Sequence, residues 1–111
     1  MKAIETLDQG LDQATADEYA SWFRCLSDGT RVRILNVVAS SDHPMTVGEI
    51  VDIVGKSQST VSRHLQILAD ERYVLTEPDG VRTLVRVNES CMVALPKAAA
   101  AIMARPQADA G

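Results

Sequence analysis

The sequence predicts a mainly α domain that carries a small β-hairpin near its end. Three observations lead there. Four stretches with a helical apolar period follow one another between residues 14 and 72, each opened by a capping residue. Two alternating, β-branched runs come next, "YVLTE" and "VRTLVRV", parted by the turn signal "PDG". An alanine-rich stretch then closes the chain with strong helix propensity. With 111 residues, 46% of them hydrophobic, the chain fits one domain, and a second copy would add buried surface to so small a core.

Residues 1–13 are polar and acidic, broken by Gly10, and read as a flexible or short-helical arm. Residues 14–104 form the domain, and 105–111 read as a disordered tail. In the first helix Ala16, Tyr19, Ala20, Phe23 and Leu26 share a face, and Thr15 with Glu18 reads as a capping box. "SDGT" interrupts it, and Asp28 caps a second helix with Val32, Leu35 and Val38 as its stripe and Ile34 beside them. "SSDHP" is a loop. Thr46, with Glu49 three residues on, opens a short third helix whose apolar set is Val47, Ile50, Val51 and Val54. Gly55 ends that helix as a left-handed cap would. Ser57 caps a fourth helix from about Gln58 to Arg72, its inner face Val61, Leu65 and Leu68. After the hairpin, Asn88 or Ser90 starts the last helix, and Pro96 should kink or restart it. With only Tyr19, Trp22, Phe23 and Tyr73 as aromatics, the core is expected to be aliphatic.

Charge is unevenly placed. The net value is −4, yet residues 1–55 carry −5, residues 56–86 carry +1, and the remainder balance. A local positive surface can therefore still meet phosphates. No apolar run approaches membrane-spanning length, and the N-terminus lacks a secretory pattern, so a cytoplasmic location with no membrane partner is expected. Cys25 and Cys91 are expected to remain free thiols.

The third and fourth helices, joined through "VGKS", have the length and turn chemistry of a helix-turn-helix. Its second helix would enter the major groove by its N-terminal end. Gln58 suits an adenine edge, Ser59 and Ser62 can donate or accept, and Arg63 can reach a guanine or a phosphate. Ser59, Ser62, Arg63 and Gln66 lie on one outward strip. Lys56 and the capped helix start suit a backbone phosphate. Short polar residues at a helix start are also simply good caps; the following hairpin, with Arg82 near its turn, favours the groove reading. Arg86 alternates onto the face of Arg82 but lies nearer the core. No nucleophile–base pair, phosphate loop or metal triad is visible, so the chain is not expected to be an enzyme.

The segments "FRCLSDGTRVRIL", "MTVGEIVDIVGKSQSTVSRHLQIL" and "GVRTLVRV" resemble the ArsR/SmtB family of winged-helix repressors over about Tyr19 to Val87. The resemblance implies a winged helix-turn-helix fold and a homodimer paired through its first and last helices. It also implies binding to an inverted repeat in double-stranded DNA, relieved by a metal, metalloid or redox signal. Carried over by position, base contacts fall on Gln58, Ser59, Ser62 and Arg63, backbone contacts on Lys56 and Thr60, and the wing contact on Arg82.

The family's sensor sites are less visible. The third-helix stretch "TVGEIVDIV" lacks the cysteines of arsenic and cadmium sensors. The last helix lacks the paired Asp and His ligands of zinc, nickel or cobalt sensors. Cys25 and Cys91 are the remaining effector candidates, which leaves a soft metal or metalloid as the one cofactor class in view. Cys25 reads first as a small buried hydrophobe, whereas Cys91, in the first turn of the last helix, would have its pKa lowered by the helix N-terminus. His43 reads as solvated, and His64 as packed or touching a phosphate. A winged-helix module for protein contact, and a DNA-binding regulator without any sensor, are the competing readings.

Overall fold

A computed structural model describes residues 10–104. Most of the expected arm, and the whole tail expected over 105–111, lie outside the described residues. The elements run α1 (Gln13–Cys25), α2 (Gly29–Ser40), β1 (Met45–Thr46), α3 (Val47–Val54), α4 (Gln58–Asp70), β2 (Val74–Asp79), β3 (Arg82–Val87) and α5 (Glu89–Met103).

The helix starts are set by local oxygens that satisfy free backbone N–H groups. Asp28 accepts from the Arg31 amide, Thr46 and Glu49 form a reciprocal capping box, and Ser57 accepts from Thr60. The first helix departs from expectation. Its cap is Asp12, whose carboxylate accepts from the Thr15 amide at 2.7 Å, and not Thr15 with Glu18. An ionised oxygen makes the stronger cap, which starts the helix earlier. Only the C-terminal end of α1 is deeply buried: Cys25 is in the core and Trp22 and Leu26 pack against it, while Ala20 and Phe23 are exposed. In α2 the buried pair is Ile34 and Val38, with Leu35 partly buried, and Val32 faces solvent.

Ile34, Ile50, Val61, Leu68, Val74 and Val85 are fully buried and tie α2, α3, α4 and the sheet into one aliphatic core. Each contributes on the order of 2 kcal/mol by leaving water. Helix α4 ends at Asp70, two residues short of expectation. Arg72 takes a left-handed φ of 65° there, and the Tyr73 and Arg72 amides donate to the Leu68 and Ala69 carbonyls. That pair of hydrogen bonds closes a Schellman cap, and Leu68 and Tyr73 are both buried beside it.

The hairpin is part of a three-stranded antiparallel sheet ordered β1-β3-β2. The short β1 was not expected; it pairs Met45 with Val85 and Thr46 with Leu84. Pro78 and Asp79 belong to β2, opposite Thr83 and Arg82, so the turn shrinks to Gly80 and Val81. Edge strand β2 tolerates Pro78 because proline's missing N–H need not face a partner. Helix α5 runs through Pro96 without restarting, capped by Asn88. It buries Ala98 and rests on the core through Cys91 and Leu95, leaving Met92, Val93, Ile102 and Met103 exposed.

Candidate nucleic-acid interface

The turn between α3 and α4 is built for a fixed angle. Gly55 closes α3 with φ 71°, a backbone state that costs a side-chain-bearing residue free energy. Arg33 of α2 donates to the Val54 and Ile53 carbonyls at 2.9 and 3.1 Å, capping the C-terminus of α3 with a guanidinium. Ser57 then starts α4, accepting from the Thr60 amide at 3.2 Å and donating to the Thr60 hydroxyl at 2.9 Å.

Beyond that cap, α4 separates into two faces. Val61, His64, Leu65 and Leu68 are buried, whereas Gln58, Ser59, Ser62 and Arg63 are exposed, as is Lys56 just ahead of them. The four expected base-reading residues therefore stand together on one polar strip. Thr60 is half-buried and its hydroxyl is engaged in the Ser57 cap, so its free group is only partly presented. Gln66 continues the strip but donates to Asp70 at 2.9 Å.

The wing lies beside this strip. Ser62 and Gln66 of α4, with Thr76 and Thr83 of the sheet, line an open cleft of about 310 Å³ that also touches Leu65 and Val85. Arg82 is exposed at the wing tip and donates to Asp79 across the turn at 3.0 Å. Such an exposed pair is worth little, so exchanging the carboxylate for a phosphate costs little. Arg86 alternates onto the same face and is exposed.

His64 packs inside the domain, at 5% exposure, with Arg31 Nη1 at 3.0 Å from its Nδ1. Burial lowers its pKa, Arg63 and Arg31 add to that, and Asp28 opposes it. Neither Arg31 nor Arg33 stood out in the sequence, because their partners lie six to 33 positions away. The only local signal was two arginines among the Val, Ile and Leu of this helix.

Both thiols stand where the sequence placed them, and it is the ionisation of Cys91 that differs from expectation. Cys25 is buried at the end of α1, and burial raises its pKa against the nearby Arg31, with Glu71 and Cys91 reinforcing the rise. Cys91 is half-buried, and burial raises its pKa, opposite to the lowering expected at the α5 N-terminus. Its Sγ donates to the Arg72 carbonyl at 3.0 Å, which Asn88 also engages at 2.9 Å. Among the described residues, no three His, Cys, Asp or Glu side chains are grouped to hold a metal. His43 is exposed and hydrogen-bonded to Asp42.

Comparison with known proteins agrees with this arrangement. The family described as "Bacterial regulatory protein, arsR family" matches residues 28–76, from the cap of α2 into β2. The HTH-type transcriptional regulator KmtR of Mycobacterium tuberculosis is 42% identical over 66 residues, 60% of this chain and 49% of KmtR. The probable mercury resistance operon repressor of Streptomyces lividans is 36% identical over 73 residues, 66% of this chain and 57% of that protein. The match thus spans about half the length of these curated relatives. Among solved structures, the homodimeric winged helix-turn-helix DNA-binding domain of Mb0332 from Mycobacterium bovis superposes with a TM-score of 0.66 at 25% identity, covering 79% of this chain and 83% of that one. With the helix-turn-helix, the wing and the sequence likeness all in agreement, the chain carries a helix-turn-helix domain of the ArsR family of bacterial regulatory proteins.

Proposed function

We propose that the chain is a sequence-specific DNA-binding transcriptional repressor acting as a homodimer on an inverted repeat. The observation that carries this reading is the two-faced α4. A buried aliphatic side and a left-handed glycine turn hold out Gln58, Ser59, Ser62 and Arg63, short or forked groups that can reach base edges. Lys56 and Arg82 flank that strip as phosphate contacts, with Thr60 beside the helix cap. The exposed apolar residues of α5, together with Leu11 and Phe23 at α1, supply the surface that a second copy would cover. The solved Mb0332 domain is homodimeric, which supports the same arrangement here.

The test is salt dependence on duplexes selected from a random library by the wild-type chain. Two or three phosphate contacts per protomer, four to six in a homodimer, give a log–log slope of roughly −3.6 to −5.4, and affinity should fall about 150- to 1,800-fold from 50 to 200 mM salt. A flat slope, or no enriched duplex, would sink the DNA reading and favour a protein-interaction module.

A second reading concerns release, and the placement of the cysteines favours it. Both thiols border the same core corner at Tyr73 and Glu71, and each influences the ionisation of that tyrosine. Cys91 also donates to the backbone where α4 passes into β2. A thiol-reactive agent, soft metal or metalloid that took these sulfurs would remove that hydrogen bond at the base of the wing. We infer that such a signal would relieve repression.

A further inference from the structure

The recognition helix is not held by apolar packing alone. Arg31, in the first turn of α2, makes three directed contacts with three parts of the fold. Its amide donates to the Asp28 cap at 3.0 Å, its Nε donates to the Cys25 carbonyl at the end of α1 at 2.6 Å, and its Nη1 meets His64 Nδ1 of α4 at 3.0 Å. A guanidinium can only donate. Nδ1 of His64 must therefore be the acceptor, so the ring is neutral and carries its proton on Nε2.

We propose that Arg31 is a positioning residue for DNA reading, keying the rotation of α4 about its own axis to the end of α1 through a neutral His64. The inference rests on the DNA-binding role proposed above. His64 lies between Val61 and Leu68 on the buried face, and next to it in sequence Ser62 and Arg63 point outward. Consecutive helical residues are about 100° apart around the axis, so a small roll of the helix at His64 carries the exposed strip sideways. A reading helix tolerates little of this, because bidentate base contacts need fixed direction. Leu, Val and Ile packing resists gaps but is less exacting about rotation than two charge-assisted hydrogen bonds. The carbonyl that Arg31 holds belongs to Cys25, so the same side chain ties the recognition helix to the helix that carries one of the two thiols.

The contact also depends on protonation. A second proton on His64 would occupy Nδ1 and set an imidazolium against the Arg31 guanidinium. The charges that act on the ring are Asp28, the α2 cap, Arg31 of α2 and the outward Arg63 of α4; burial and the two arginines oppose the charged ring, while Asp28 favours it. Because the folded pKa lies below the ordinary 6.5, the contact is intact at neutral pH and is lost as pH falls further.

Four chains decide the matter: wild type, Arg31→Met, Arg31→Lys and His64→Gln. Glutamine can accept from Arg31 through Oε1 and does not titrate. Binding is measured by fluorescence anisotropy on the library-selected duplex and on a scrambled duplex, from pH 5 to 8, with thermal melts confirming folding. For Arg31→Met we expect about a tenfold or greater loss on the selected duplex with the scrambled duplex unchanged. Arg31→Lys should lose less, since an ammonium can replace only one of the two contacts. His64→Gln should bind like wild type at pH 7.5 and lose the acid decline. Nitrogen NMR of wild type should place the His64 proton on Nε2, a preference that relaxes in Arg31→Met. Equal loss on both duplexes, an unchanged acid profile in His64→Gln, or full specific affinity in Arg31→Met would each overturn the proposal. If selection enriches no duplex, the DNA role itself fails and the proposal fails with it. If selection succeeds and only the variants behave as wild type, the proposal fails alone.

Discussion

Replacing Arg63 with methionine probes the reading strip most directly. The side chain is exposed and makes no hydrogen bond or ion pair among the described residues, so removing its charge should leave stability within about 0.5 kcal/mol. Its neighbours on the strip, Ser59 and Ser62, keep their places because the Ser57 cap and the buried Val61 and Leu65 hold the helix. A bidentate arginine–guanine pair is worth about 1–3 kcal/mol, and a homodimer carries two copies, giving about 2–6 kcal/mol in all. Because the side chain is free and must be ordered on binding, the lower half of that range applies, or about a 100-fold loss of affinity. Anisotropy titrations on the selected duplex and on versions with single base changes separate two roles. If Arg63 reads guanine, the variant loses discrimination at one position per half-site and keeps its salt slope. If it holds phosphate, the loss is uniform across sequences and the slope becomes shallower by about 2. Wild-type affinity with both slope and discrimination unchanged would refute the placement of Arg63 at the interface.

Arg72→Gly should raise stability by about 1 kcal/mol, because glycine accepts the φ of 65° that the arginine adopts at a cost; a denaturant midpoint that falls would contradict the strain argument. Cys25→Ser and Cys91→Ser should each blunt the loss of DNA binding produced by arsenite or an oxidant, with Cys91→Ser keeping a donor toward the Arg72 carbonyl; an unaltered response in both variants would remove the thiol reading.

What could be read from the sequence was what neighbours decide. Asp28, Thr46, Gly55 and Ser57 act on residues within four positions, so their roles follow from side-chain chemistry alone. The same reasoning missed Asp12, because two adjacent capping patterns competed and the carboxylate prevailed. Strand β1 gave no signal: two residues have no period, and Met45 finds Val85 only after the chain has folded back. The exposed strip of α4 was legible through its contrast with Val61, Leu65 and Leu68. Arg31 and Arg33 were not, because a guanidinium that holds distant carbonyls looks like any helix-surface arginine in one dimension. Cys91 shows the limit of a dipole argument. Its position favours a thiolate, but burial pushes the pKa up, and the Sγ–H donates to the Arg72 carbonyl, which the thiol form alone can do.

The brevity of β1 conceals a mechanical role. Thr46 is at once the last residue of that strand, paired with Leu84, and the N-cap of α3. No slack separates the central strand of the wing from the first helix of the helix-turn-helix, while Arg33 and Gly55 fix the other end of α3. On the proposed DNA-binding reading, wing tip and α4 would act as two prongs of one fork. A DNA site whose groove spacing does not match that fork must itself deform to fit, and duplex flexibility at positions the protein never touches would then enter its choice of sequence.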